Sequence, residues 1–139
     1  MFQIVIASHG PLAEAMKNSL QIFYPELSEV YTANIDEDGL SKFQEKMDDV
    51  FAKVKNKDVL IFTDLLYGSP FNEAGKRVST LEKDFDIISG VNMPILVEAV
   101  NLQKQNKELR KILPALIDAG AVQSYKEKLK TTQQSDDDE

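Results

Sequence analysis

Phe2-Gln3-Ile4-Val5-Ile6-Ala7-Ser8-His9-Gly10-Pro11, at the start of the chain, is the stretch whose reading decides the fold. Phe2 to Ala7 is a short, nearly continuous apolar run rich in Ile and Val, the pattern of a strand buried on both faces. Ser8-His9-Gly10 interrupts it. Pro11 suits the first position of a helix, where its missing N–H costs nothing. Leu12, Met16, Leu20 and Phe23 then recur at helical spacing until Pro25 stops the pattern.

The same strand–turn–helix unit repeats along the chain. Glu29 to Ile35 reads as a second strand, and Asp36-Glu37-Asp38-Gly39 offers N-cap candidates for a long helix. Leu40, Phe43, Met47, Val50, Phe51 and Val54 trace the buried face of that helix. Asp58 to Thr63 is the third strand and Asp64 to Gly68 a loop. Ser69 then has the form of an N-cap and Pro70 of the first residue in a helix running to about Thr80. Phe85 to Val91 is the fourth strand. Pro94 opens a helix through about Leu102, and Lys107 to Ala119 forms another that Pro114 should kink or break. Gly120 ends it, and Ala121 to Tyr125 reads as a short fifth strand. Apolar strands alternating with helices specify an α/β fold. Its core is an open, doubly wound, mainly parallel sheet of four strands with helices on both faces. Residues 1–130 form one domain, and the polar, acidic segment 131–139 is expected to be a disordered tail.

Composition narrows the function. The chain has 139 residues, no cysteine and a single histidine, which removes disulfides, thiol chemistry and a convincing zinc ligand set. No metal and no cofactor are expected. The net charge of −7, four units of it from Asp136-Asp137-Asp138-Glu139, argues against nucleic acid as a partner. No signal peptide is evident and no apolar run approaches the ~20 residues of a membrane span, so the expected location is cytoplasmic. Neither a Walker A pattern, a Gly-x-Gly-x-x-Gly fingerprint nor a Gly-x-Ser-x-Gly elbow occurs.

Ligands of an open α/β sheet bind beyond the carboxyl ends of the strands where strand order reverses, commonly between strands one and three. The polar residues at those two ends are Ser8-His9-Gly10 and Asp64 with Gly68-Ser69. The only histidine therefore falls at the expected site. An imidazole can attack phosphorus with one nitrogen if the other donates to an acceptor that fixes tautomer and orientation. Asp64 can be that acceptor, and the helix starting at Ser69-Pro70 offers N–H groups and a hydroxyl to a phosphoryl group. Asp64 and Ser69 read equally well as local caps, Asn72 as structural, and Tyr67 as either a rim residue or a partner contact.

Three segments resemble one family. Ile4-Val5-Ile6-Ala7-Ser8-His9-Gly10 is similar to the phosphorylation-site strand of mannose-family enzyme IIA components of the phosphoenolpyruvate-dependent sugar phosphotransferase system. Phe62-Thr63-Asp64-Leu65-Leu66-Tyr67-Gly68-Ser69-Pro70-Phe71-Asn72 resembles its second hallmark, and Ile88-Ser89-Gly90-Val91-Asn92-Met93-Pro94 its third. The resemblance implies a phosphocarrier whose His9 takes a phosphoryl group from HPr and passes it to a IIB component during sugar uptake through a membrane permease. It implies that Asp64 orients His9 and that Ser69, with Gly68 and Gly10, binds the phosphoryl group. It also implies a homodimer that exchanges the strand expected at Ala121 to Tyr125. Because the sequence stops at Glu139, the IIB partner is expected on a separate chain. Leu65 and Leu66 stand where some members carry an aromatic residue, and Tyr67 comes slightly later. The other readings are the phosphotransfer subunit of a dihydroxyacetone kinase and a regulatory module phosphorylated on His9.

Overall fold

A computed structural model describes residues 1–137. The elements follow in the order β1 (Gln3–His9), α1 (Leu12–Phe23), β2 (Val30–Ile35), α2 (Leu40–Val54), β3 (Val59–Thr63) and α3 (Ser69–Arg77). After a 3-10 turn at Val78–Thr80 come β4 (Phe85–Ser89), α4 (Met93–Lys104), α5 (Leu109–Ala119) and α6 (Tyr125–Asp137). The four strands lie in the order β2-β1-β3-β4, and every pairing is parallel.

Alternation along the strands builds two cores. Ile4 and Ile6 of β1 join Leu60 and Phe62 of β3 under α1, α4 and α5, through Leu20, Leu96, Val100 and Leu116. Val5, Ala7, Val59 and Ile61 point to the opposite face, against Phe43, Met47 and Phe51 of α2 and Ala74 of α3. Each fully buried aliphatic or phenyl side chain contributes about 1.5–3 kcal/mol, so both layers are strongly held. The chain leaves β1 for a helix on one face and β3 for a helix on the other. These adjacent strands flank the crevice of a doubly wound sheet.

Several boundaries differ from the sequence reading. β1 runs two residues further than expected because its ladder continues through the Ser8–Asn34 and His9–Ile35 pairs. Pro11 precedes α1 instead of opening it, and the Ala13 N–H donates to the Ser8 hydroxyl at 2.7 Å, a cap supplied from within the strand. Asp36 does not cap α2. Its carboxylate accepts from the Asp38 N–H at 2.9 Å, and Gly39, at φ 92°, leads into the helix. α3 begins at Ser69, with Gly68 as the capping residue, so Ser69 is the first helical residue and Pro70 the second. α5 passes through Pro114 as one helix.

The fifth strand is corrected. Residues 121–124 have no regular structure and Tyr125 begins α6. Ser124 and Glu127 stand in the spacing of a capping box, and the Glu127 N–H donates to the Ser124 hydroxyl at 3.3 Å. That start signal overrides the weak alternation of Ala121 to Tyr125. Of the segment expected as a tail, residues up to Asp137 continue α6, and Asp138 and Glu139 lie outside the described residues.

Candidate functional site

His9 ends β1, and Asp64 is the first residue after the neighbouring strand β3. Parallel pairing thus brings together two residues 55 positions apart. The Asp64 Oδ2 atom accepts from the His9 backbone N–H at 3.0 Å and lies 2.9 Å from His9 Nδ1. Asp64 Oδ1 accepts from the Leu65 N–H at 3.0 Å, so both carboxylate oxygens are held. The Asp64 side chain is 12% exposed and that of His9 45%. Burial, the largest single influence on Asp64, pushes its pKa up. The hydrogen bonds from the His9 N–H and ring together outweigh it and hold the carboxyl below its usual value. An ionised carboxylate only accepts, so His9 Nδ1 carries the proton and the lone pair of a neutral ring lies on Nε2.

The loop between Asp64 and α3 completes the surround. Gly68 N–H donates to the Leu65 carbonyl at 3.2 Å, closing a turn whose third residue, Tyr67, has φ 65°. Tyr67 is 75% exposed, its ring meets Phe71 edge-on at 5.6 Å, and its carbonyl accepts from Asn72 Nδ2 at 3.1 Å. Asn72 is therefore structural. The first intrahelical bond of α3 runs from Asn72 N–H to the Gly68 carbonyl at 2.9 Å. The N–H groups of Ser69 and Phe71 precede it, with no side-chain cap over them.

Two of the three residues expected to bind the phosphoryl group have their amides engaged within the protein. The Gly68 amide is spent on Leu65, and the Gly10 amide donates to the Ile35 carbonyl at 2.7 Å. With φ 60°, Gly10 serves the turn out of β1 and has no N–H to offer a ligand. Of Gly10, Gly68 and Ser69, Ser69 alone keeps a backbone donor and a hydroxyl at the helix terminus.

Three contributors escape the sequence reading. The Ser8 hydroxyl caps α1 and also donates to Asn34 Oδ1 at 3.3 Å. A serine three residues before a proline that cannot cap is the signal that could have found it. Glu73 of α3 is 3% exposed; it accepts from Arg77 at 2.7 Å and from Gln44 of α2 at 3.1 Å, tying α3 down one turn behind the site. Burial, its largest influence, pushes the Glu73 carboxyl up, but bonds from Arg77, Gln44 and Lys76 outweigh it and leave the pKa lowered. Asn92 caps α4 by accepting from the Ile95 N–H at 3.0 Å, and donates to the Gly120 carbonyl at 2.7 Å. The Gly-Val-Asn-x-Pro segment is thus a helix start and a brace, reached through Gly90 at φ 78°.

The family model described as PTS system fructose IIA component matches residues 3–116, most of the chain. The chain belongs to that family. The sorbose-specific EIIA component of Lacticaseibacillus casei is 26% identical to this IIA component over 97% of the chain and 99% of the relative. The mannose-specific EIIAB component of Escherichia coli K12 is 28% identical over 84% of this chain but only 36% of its own length. Among solved structures, the mannose/sorbose-specific IIA subunit from Enterococcus faecalis superposes with a TM-score of 0.76 at 27% identity, covering 88% of this chain and 92% of that one. Membership makes the chain a mannose-family IIA component of the sugar phosphotransferase system. Among the described residues, no helix is long and apolar enough to cross a membrane.

Proposed function

We propose that His9 accepts a phosphoryl group from phospho-HPr on Nε2 and passes it to a IIB component during sugar uptake. The observation that carries this reading is the double grip of Asp64 Oδ2 on the His9 N–H and Nδ1. With Nδ1 engaged, Nε2 attacks. Its bond to phosphorus forms as the P–N bond of the donor imidazole breaks, and the donor ring leaves with that electron pair. The product ring, phosphorylated on Nε2 and protonated on Nδ1, is cationic, and the Asp64 carboxylate stabilises that charge. Ser69 N–H and Oγ, with the Phe71 N–H, donate to the phosphoryl oxygens at the positive end of α3. Onward transfer to IIB reverses these steps.

A half-exposed nucleophile suits protein partners better than an enclosed small substrate. Leu65, Leu66 and Tyr67 beside it are all exposed and apolar, as a docking rim requires. The carrier acts in the cytoplasm as a homodimer; the exposed Val122, Tyr125 and Leu129 support a second copy. A sedimentation mass of one chain would remove the dimer. The site assignment is tested by nitrogen-15 NMR of the phosphorylated protein. The phosphoryl group is expected on Nε2 of His9; attachment at Nδ1 would contradict the role given to Asp64.

A further inference from the structure

Gly68 occupies a position where the backbone does not ask for glycine. Its φ of −73° and ψ of 169° are open to any residue. The turn from Leu65 to Gly68 favours glycine one place earlier, where φ is positive, yet that place holds Tyr67. Both backbone polar groups of Gly68 make bonds that any residue but proline could make, to Leu65 and from Asn72. What a side chain at this place would displace is the His9 ring. A Cβ on Gly68 would stand 2.9 Å from His9 Cε1, closer than real Cβ atoms stand. Its next neighbours, the Leu65 carbonyl oxygen at 3.4 Å and Leu65 Cβ at 3.5 Å, are at ordinary contact.

We infer that Gly68 is a positioning residue for His9: the absence of its side chain gives the imidazole the place it needs to hold Asp64. Cε1 is bonded to both ring nitrogens, so pressure there moves Nδ1 and Nε2 together. A methyl group at residue 68 turns the half-exposed ring outward and breaks the Nδ1 bond to Asp64. Nε2 then loses both its fixed tautomer and its fixed position. The kinetic consequence rests on the phosphocarrier reading; the steric claim does not.

The test is Gly68→Ala made in the wild-type chain and again in His9→Ala. In the wild-type background the alanine should lower the melting temperature and slow HPr-dependent phosphoryl acceptance about a hundredfold, the scale of a ~1 Å misplacement of a reacting group. Nitrogen-15 spectra of the ring should change from one Nδ1–H tautomer to a mixture. In the His9→Ala background the same substitution should leave the melting temperature unchanged, since the ring it displaces is gone. If Gly68→Ala alone does not fold, recovery of folding in the double variant supports the inference and its failure overturns it. An unchanged tautomer and acceptance rate, or an equal loss of stability in both backgrounds, also overturns it. If the wild-type chain itself takes no phosphoryl group, the phosphocarrier reading falls, and the stability comparison and the spectra still decide the role of Gly68.

Discussion

Asp64 grips both the N–H and the Nδ1 of His9, so the proposed transfer depends on it as much as on the histidine. The lowered pKa of Asp64 has a direct consequence for stability. Its contribution is complete above the ordinary aspartate value of about 3.9 and is lost as pH falls through the lower folded value. Asp64→Asn keeps the shape and removes the charge. Acceptance from HPr should slow by about 10²-fold, because the ring is no longer held in one tautomer and the cationic product is no longer neutralised. The acid limb of the unfolding curve should lose the part that belongs to Asp64. An unchanged transfer rate would reduce Asp64 to a cap on the loop. His9 and Asp64 are legible in the sequence because each lies one residue beyond an apolar run, and neighbouring parallel strands end at the same crevice. The Ser8 cap and the contact between Gly68 and His9 are not. Both depend on angles at the strand ends, which residue order leaves open.

At the scale of elements, α3 matters most, since in the proposed transfer its first residue, Ser69, holds the phosphoryl group and its body must not shift. Glu73, Arg77, Gln44 and Asp48 fasten it to α2, with Arg77 Nε donating to Asp48 at 2.8 Å. Arg77→Met removes one of three donors to the buried Glu73 carboxylate and leaves Gln44 and Lys76 in place. It should destabilise the chain by roughly 1.5–3 kcal/mol at neutral pH, the range for a hydrogen bond to a charged group. Glu73 is stabilising above the ordinary glutamate value of about 4.3, and that contribution fades as pH falls through its lowered folded value. The gap between wild type and Arg77→Met should thus narrow in urea unfolding at pH 3; a constant gap would mean the ion pair is not what Arg77 supplies.

The strands and the long helices are legible from their apolar periods. Pro114 misleads because its local cost, about 3 kcal/mol in a helix interior, is smaller than the burial at stake. Leu109, Ile112, Leu113 and Leu116 are all buried on the other side of α5. The end of the chain misleads for the opposite reason. Residues 121–125 bury little, so a local cap at Ser124 decides the conformation and α6 forms where a strand is expected.

At the scale of the whole molecule, two apolar layers fix a parallel sheet, and the sheet delivers one imidazole and one carboxylate to its carboxyl edge. The remainder of the fold keeps that pair in register, with the carboxylate covered and His9 half exposed. The overall class is legible because buried parallel strands leave so strong a pattern; the partner surface is less so, since exposed leucines such as Leu65 and Leu66 have no period to betray them. In the proposed function His9 carries the phosphoryl group. The most direct test is intact mass after incubation with phosphoenolpyruvate and enzyme I, with and without HPr, for the wild-type chain and for His9→Ala. One acid-labile phosphoryl group that requires HPr and is absent from His9→Ala is the predicted result; no modification by an active donor system, or labelling that persists in His9→Ala, would contradict it.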